Sequence, residues 1–289
     1  MQHGTWLAIE SLQWKMTAFR TYRRLPSPLR VVLRWLIMPR WTLATALVRR
    51  RASGTVISGP FRGMRLSLSS LSDKNHLGYV LGTQELELRD IVEDIVRRRY
   101  TEIINIGAAD GYYAIGLLCR MPETRVLAFE AALEHHSGLR RTAILNNVTQ
   151  RLRIAGLCTR HQLTNALTKS CDSVLIFADI EGAEIELLNP DDIPQLRRVD
   201  ILVETHDSFV RNCTELLIQR FGASHHINPV SSRARTLSDF PSAALPGLAR
   251  FLPRTSVELM TERRRDGQAW LYLIAKQRHA DTNRSFRAD

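Results

Sequence analysis

The stretch Ile103-Ile-Asn-Ile-Gly107-Ala-Ala-Asp110-Gly111-Tyr-Tyr-Ala-Ile-Gly-Leu governs how the rest of the chain is read. It predicts a strand, a glycine turn and a helix. Such a turn lets backbone amides approach a ligand closely and aims a helix N-terminus at it. In an open α/β sheet it lies at the carboxyl edge, where ligands bind. The dinucleotide fingerprint G-x-G-x-x-G has Ala109 at its third position here and Tyr112 at its sixth, which disfavours a nicotinamide cofactor.

Outward from this turn the pattern is regular. Apolar runs at 103–106, 126–129, 152–155, 174–178 and 201–203 alternate with helix-like stretches at 111–121, 134–147, 161–169, 183–197 and 207–221. That alternation predicts right-handed βαβ units and a parallel sheet, with helices on both faces. Runs at 225–230 and 270–275 add terminal strands. Upstream, 55–68 alternates and carries turn residues, which predicts a hairpin, and 85–99 has helical spacing. The organisation is a basic segment over 1–51, a lead-in hairpin and helix over 52–100, the α/β domain over 101–278 and a tail over 279–289.

The strand ends carry the chemistry. Glu130 closes the second strand, where an acid suits a hydrogen bond to a ribose diol. The alternative is plain architecture: Gly107 and Gly111 for a tight turn, Asp110 as a helix cap and Glu130 as a solvated strand end. The fourth strand runs into Asp179-Ile-Glu181-Gly-Ala-Glu184 and the fifth into Glu204-Thr-His206-Asp207. Asp179, Glu181, Glu204 and His206 can converge at the carboxyl edge, as a general base with an orienting carboxylate or as ligands of a divalent cation. His206 is the preferred base, since its ordinary pKa lies near neutrality. The reading adopted here has Asp179 and Glu204 as its partners and no metal. Glu184 and Asp207 read as helix caps.

Composition bounds the rest. At 289 residues, 44% hydrophobic and 24% charged, the chain is globular. Four dispersed Cys without a CxxC pair disfavour a disulfide scaffold or structural zinc and fit a reducing cytoplasm. Residues 1–51 carry nine of the eleven net positive charges and four of the five Trp. The body is near neutral, so nucleic acid is not an expected partner. The basic segment interleaves Trp, Leu and Val with Arg. It divides at Pro26 and Pro28 into stretches at about 5–24 and 29–50, and it reads either as a peripheral membrane contact or as a solvated extension packed on the body. Arg34 and Arg40 interrupt the best spanning candidate.

Taken together, Gly107-Ala-Ala-Asp-Gly-Tyr-Tyr, Phe129-Glu130, Asp179-Ile-Glu-Gly-Ala-Glu184 and Glu204-Thr-His206 resemble FkbM-type S-adenosylmethionine-dependent methyltransferases. The resemblance covers roughly 55–278. It implies the class I fold, a Rossmann-like seven-stranded sheet whose last strand is antiparallel, with S-adenosylmethionine as methyl donor and a hydroxyl acceptor on a glycan or other small molecule. It places Gly107, Ala108, Asp110 and Gly111 around the methionine end, Glu130 at the ribose and Asp179 near the transferring methyl. Gly82-Thr-Gln-Glu85 resembles the segment that closes over the cofactor, with Gln84 where Tyr is commoner. Glu262 to Trp270 resembles a C-terminal block, with Arg265 where Pro is expected. Asn105 stands where an acid is common. Segments 70–90 and 231–266, rich in Ser, Pro, Gly and Arg and without clear periodicity, read as lids that set specificity.

Two competing functions remain at this level. One is a non-catalytic scaffold that keeps the fold and works through its basic segment. The other is a nicotinamide-dependent enzyme of sugars, disfavoured by Ala109 and Tyr112. If the basic segment binds anionic membrane, the acceptor is expected to be lipid-linked.

Overall fold

The computed structural model describes residues 26–67, 76–170, 173–262 and 268–276. Seven strands form one sheet in the order β3-β2-β1-β4-β5-β7-β6. They are β1 (Glu102–Ile106), β2 (Arg125–Phe129), β3 (Leu152–Ala155), β4 (Val174–Ala178), β5 (Asp200–His206), β6 (His225–Ser231) and β7 (Gln268–Ala275). Strands β1 to β5 pair parallel. Strand β7 inserts antiparallel between β5 and β6. This is the class I methyltransferase architecture that the resemblance implied. The central strands are buried along their whole length in β4 and β5, as expected where helices cover both faces of a parallel sheet.

The chain divides into two compact units, Met1–Leu47 and Val48–Asp289. Helix α1 (Ser27–Ile37) lies in the first and ends before Pro39, where α2 (Pro39–Ala52) starts and runs across the boundary. The expected single stretch over 29–50 is therefore two helices, because proline's missing N–H is tolerated only in a first turn. The stretch at 5–24 and the tail at 279–289 lie outside the described residues. Among the described residues no helix is long and apolar enough to cross a membrane.

In the second unit, α3 (His76–Leu81) and α4 (Arg89–Arg98) lead into β1. The expected hairpin at 55–68 reduces to one antiparallel bridge between Thr55 and Arg65. Then follow α5 (Tyr112–Arg120), α6 (Leu133–Leu145) and α7 (Arg160–Lys169), close to expectation. The helix expected over 183–197 is instead α8 (Glu184–Leu187) and a separate 3₁₀ turn, Pro194–Arg198. Pro190 and Pro194 remove the amides a continuous helix would need. The helix expected from 207 starts late, as α9 (Cys213–Phe221), after Asn212 takes a left-handed φ of 60°. The 231–266 segment also holds regular structure in α10 (Pro246–Phe251) and α11 (Pro253–Leu259).

The sheet order puts a switch point between β1 and β4, since the chain leaves β1 toward β2 and returns past it to β4. Crevices at such points bind ligands in open α/β sheets.

Candidate active site

The turn after β1 is built by backbone. Gly107 has φ +81°, and a Cβ there would lie 1.8 Å from the Asp179 carbonyl oxygen. No side chain fits, so glycine lets the ends of β1 and β4 meet. The amides of Gly107 and Ala108 both donate to the Phe129 carbonyl, at 2.9 and 3.0 Å, and the Asp179 amide donates to Ile106 at 2.9 Å. Gly111 has φ +86°, and a Cβ on it would strike Leu139 of α6 at 2.2 Å.

Glu130 faces this turn. Its Oε2 accepts from the Ala109 amide at 2.6 Å, and its Oε1 accepts from the Ala132 amide at 2.8 Å. Two donors thus aim the carboxylate, and each oxygen keeps lone-pair capacity for a further donor. Asp110 does not cap α5, which has no side-chain cap. It is buried and contacts His135 Nδ1 at 3.1 Å. Burial works against the His135 cation, but the Asp110 bond and charge prevail and raise its pKa. Asn105 donates to the Phe177 carbonyl at 3.2 Å. Its buried Oδ1 has no hydrogen-bond partner among the described residues.

The ends of β4 and β5 are built by side chains. His206, 1% exposed, places Nδ1 at 2.6 Å from Glu184 Oε1, and the Glu184 side chain is 0% exposed. Nε2 points the other way, 3.7 Å from Asp179 Oδ1 and 3.8 Å from Glu204 Oε2. The Asp179 side chain is 37% exposed, so the group opens to solvent on that side. One ligand atom each from Asp179, Glu204 and His206 lies within 4.8 Å of the others. The geometry therefore suits either a poised imidazole or a three-ligand cation site.

Glu181 does not join this group. It is exposed and adopts a left-handed φ of 47°, which turns it out of the strand alternation assumed for it. The orienting carboxylate is Glu184, read from sequence as a cap. It does accept the Gly182 amide at 3.1 Å, and its other oxygen receives the Cys213 thiol at 3.9 Å. Asp207, expected as a first-turn cap, instead lies six residues before α9, whose N-cap position is Asn212, and reaches it from there by accepting from the Thr214 amide at 3.3 Å and from the Thr214 hydroxyl.

The electrostatics follow from these contacts. Burial opposes the His206 cation. The hydrogen bond and charge of Glu184, helped by Asp179 and Glu181, outweigh it and raise the imidazole pKa. Burial likewise opposes the Glu184 anion, but the bond from His206 and the amides of Gly182 and Glu184 hold its pKa below normal. Each partner thus favours the other's charged form.

A second polar group borders the glycine turn and joins Glu85 and Glu262, from the two blocks that the resemblance marked separately. The Tyr113 hydroxyl donates to Glu85, whose own amide donates to Glu262 Oε1 at 2.6 Å. Arg235 bridges Glu262 and Glu87 at 2.6 and 2.7 Å. These partners lie up to 177 residues apart. The expected closing segment at 82–85 is therefore tied to α5 and to the strand-flanking loops. Of the expected lids, residues 70–75 and 263–266 lie outside the described residues, Arg265 among them.

No family model matches the chain, and no curated protein matches it. Solved structures do. A candidate O-methyltransferase from Klebsiella pneumoniae is 15% identical, with a TM-score of 0.44, over 86% of this chain and 97% of its own. The O-methyltransferase TomG of Streptomyces achromogenes, solved with S-adenosylmethionine, is 14% identical at a TM-score of 0.42, over 57% and 86%. A Bacillus cereus O-methyltransferase, solved with S-adenosylhomocysteine, is 13% identical at 0.39, over 69% and 89%. At such values these overlaps carry no argument about chemistry, and the fold stands on its strand order.

Proposed function

We propose that this chain is an S-adenosylmethionine-dependent methyltransferase that methylates a hydroxyl on a sugar, glycan or natural product, with His206 as the base. The observation that carries the reading is the His206 arrangement at the carboxyl edge, beside the glycine turn: Nδ1 is fixed by buried Glu184, and Nε2 is left facing Asp179 and Glu204. The residues present fit the cofactor. Glu130 offers an aimed carboxylate for a diol, Gly107 admits close approach to the backbone, and Asn105 Oδ1 is a buried acceptor in want of a donor.

When bound, S-adenosylmethionine supplies a methyl group already activated on a sulfonium. The chain's own part is to hold an acceptor hydroxyl and take its proton. Glu184 accepts the Nδ1 proton of neutral His206, which leaves the Nε2 lone pair as base. Asp179, the exposed member, is placed to accept a hydrogen bond from the acceptor and so orient it. The raised pKa of His206 means the basic form grows in as pH rises above the ordinary value of 6.5. Turnover should therefore rise with pH through that region. Glu184→Gln should move the limb to lower pH, by removing the charge that favours the cation.

The test begins with calorimetry of the purified protein against S-adenosylmethionine and its demethylated product. Micromolar binding, followed by turnover on an acceptor panel that His206→Gln reduces about a hundredfold or more, supports the proposal. Absence of heat with folded protein would leave the fold as a scaffold. The grouping of Asp179, Glu204 and His206 favours one second reading, in which they ligate a divalent cation that holds the acceptor oxygen. Turnover unchanged after chelation would dispose of it.

A further inference from the structure

Helices α1 and α2 carry a dense display of apolar side chains. Among the described residues, seven of the fifteen exposed large hydrophobics fall within residues 29–47. On α1 these include Leu29, Val32 and Leu36, spaced at three and four residues so that they share a helix face, with Trp35 and Ile37 beside them. Leu36 is 75% and Ile37 57% exposed. On α2, Leu43 and Leu47 repeat the four-residue step. A soluble surface normally scatters such residues singly, and a cluster marks a docking face.

The charge of the same stretch identifies what covers it. The two helices contain no Asp or Glu, and Arg40 and Arg50 are exposed. Residues 1–51 hold nine of the chain's eleven net positive charges. A second copy would set two such segments against each other, with like charges opposed within a screening length. A nucleic acid would meet the arginines but offer nothing to bury Leu36 and Ile37. An anionic bilayer offers both, with phosphates at the surface and an acyl boundary beneath for Trp and Leu. Helices of 11 and 14 residues are too short for the roughly 20 that span a bilayer.

We infer that α1 and α2 form a peripheral docking element that lies on anionic lipid surfaces, with Leu36, Ile37 and Leu43 entering the interface and Arg40 and Arg50 at the headgroups. Each arginine should strengthen the association about fivefold. This does not depend on the catalytic reading. Any reaction of the same chain would then belong to a membrane-tethered protein.

The test is co-sedimentation of the full chain with vesicles of phosphatidylcholine, alone or mixed with phosphatidylglycerol. The full chain should pellet with the mixed vesicles at least tenfold more tightly than with the neutral ones, and the difference should shrink as salt rises. Leu36→Glu with Ile37→Glu should weaken it by tenfold or more, as should Arg40→Glu with Arg50→Glu. All four positions are exposed, and circular dichroism and the thermal midpoint should match the parent. Failure of the parent to pellet, or equal binding to both vesicle types, would overturn the inference. So would a lipid-free dimer that the Leu36→Glu, Ile37→Glu pair converts to monomer, which would make a second copy the occupant.

Discussion

The carboxyl end of β1 and the carboxyl ends of β4 and β5 adjoin, yet they are made in opposite ways. After β1 the backbone does the shaping: left-handed glycines, paired amides and a carbonyl packed where a Cβ would be. After β4 and β5 the side chains do it, through a buried Glu184–His206 pair with Asp179 and Glu204 on its far side. A backbone-made turn tolerates no added atoms, and its one buried acid, Asp110, faces away from the strand ends toward His135 of α6. A side-chain-made site can be re-tuned by chemistry, and its stability must vary with pH.

Gly107→Ala tests the first half of that contrast and should have the largest effect. Its Cβ would meet a backbone carbonyl at 1.8 Å in a left-handed conformation, so β1 and β4 must part. The expected loss is roughly 4 kcal/mol or more, read by denaturant unfolding. A loss under about 1 kcal/mol would mean that the turn has slack and the contrast fails.

Glu184→Ala tests the second half. It leaves a buried imidazole facing empty space, which should cost about 3 kcal/mol, whereas Glu184→Gln, which keeps an acceptor, should cost less. The sign with pH is fixed by the two shifts. Raised His206 contributes fully below its ordinary 6.5 and loses that contribution as pH climbs through its folded value. Depressed Glu184 contributes above its ordinary 4.5 and loses it as pH falls through its folded value. The parent's advantage over Glu184→Gln should therefore peak between about pH 4.5 and 6.5 and shrink on both sides. A flat difference from pH 4 to 9 would show that the pair is held as neutral groups.

The contrast also explains what the sequence made legible. The β1 turn packs against distant residues, Asp179 and Leu139, but it is spelled in consecutive ones, so Gly107, Gly111 and the strand–turn–helix order could be read directly, and sheet and helix periodicity carried most of the fold. Glu184 could not be assigned from its own neighbourhood. An acid in a first helical turn reads as a cap, and only β5 bringing His206 to within 2.6 Å gives it another role. Glu181 misled for the complementary reason: alternation holds inside a strand, and β4 stops at Ala178, before the left-handed turn at 181. The Glu85–Glu262–Arg235 contacts join distant segments: the resemblance marked 82–85 and 262–270 separately, but nothing local pairs them or brings Arg235 to them.

Glu130 belongs to both halves, a side chain that fastens a backbone turn. Glu130→Ala removes two charge-assisted bonds to amides at a half-buried site, for an expected loss of about 1–2 kcal/mol. On the proposed function it also weakens S-adenosylmethionine binding about tenfold, roughly 1.4 kcal/mol by calorimetry. Lost stability with unaltered binding would confine Glu130 to fastening the turn.

The smallest expected effect sharpens the contrast most cheaply. Gly156 follows β3 much as Gly107 follows β1, but its φ lies outside the left-handed range and, among the described residues, nothing stands within 4 Å of an added Cβ. Backbone shaping is therefore a property of the switch point and not of strand ends in general. Gly156→Ala should be neutral or stabilise by up to about 0.5 kcal/mol, through the lower entropy of the unfolded chain. Paired with Gly107→Ala under identical denaturant conditions, it makes one methyl group the only chemical difference in each variant. A loss beyond about 1 kcal/mol at Gly156 would extend the backbone-made site to β3.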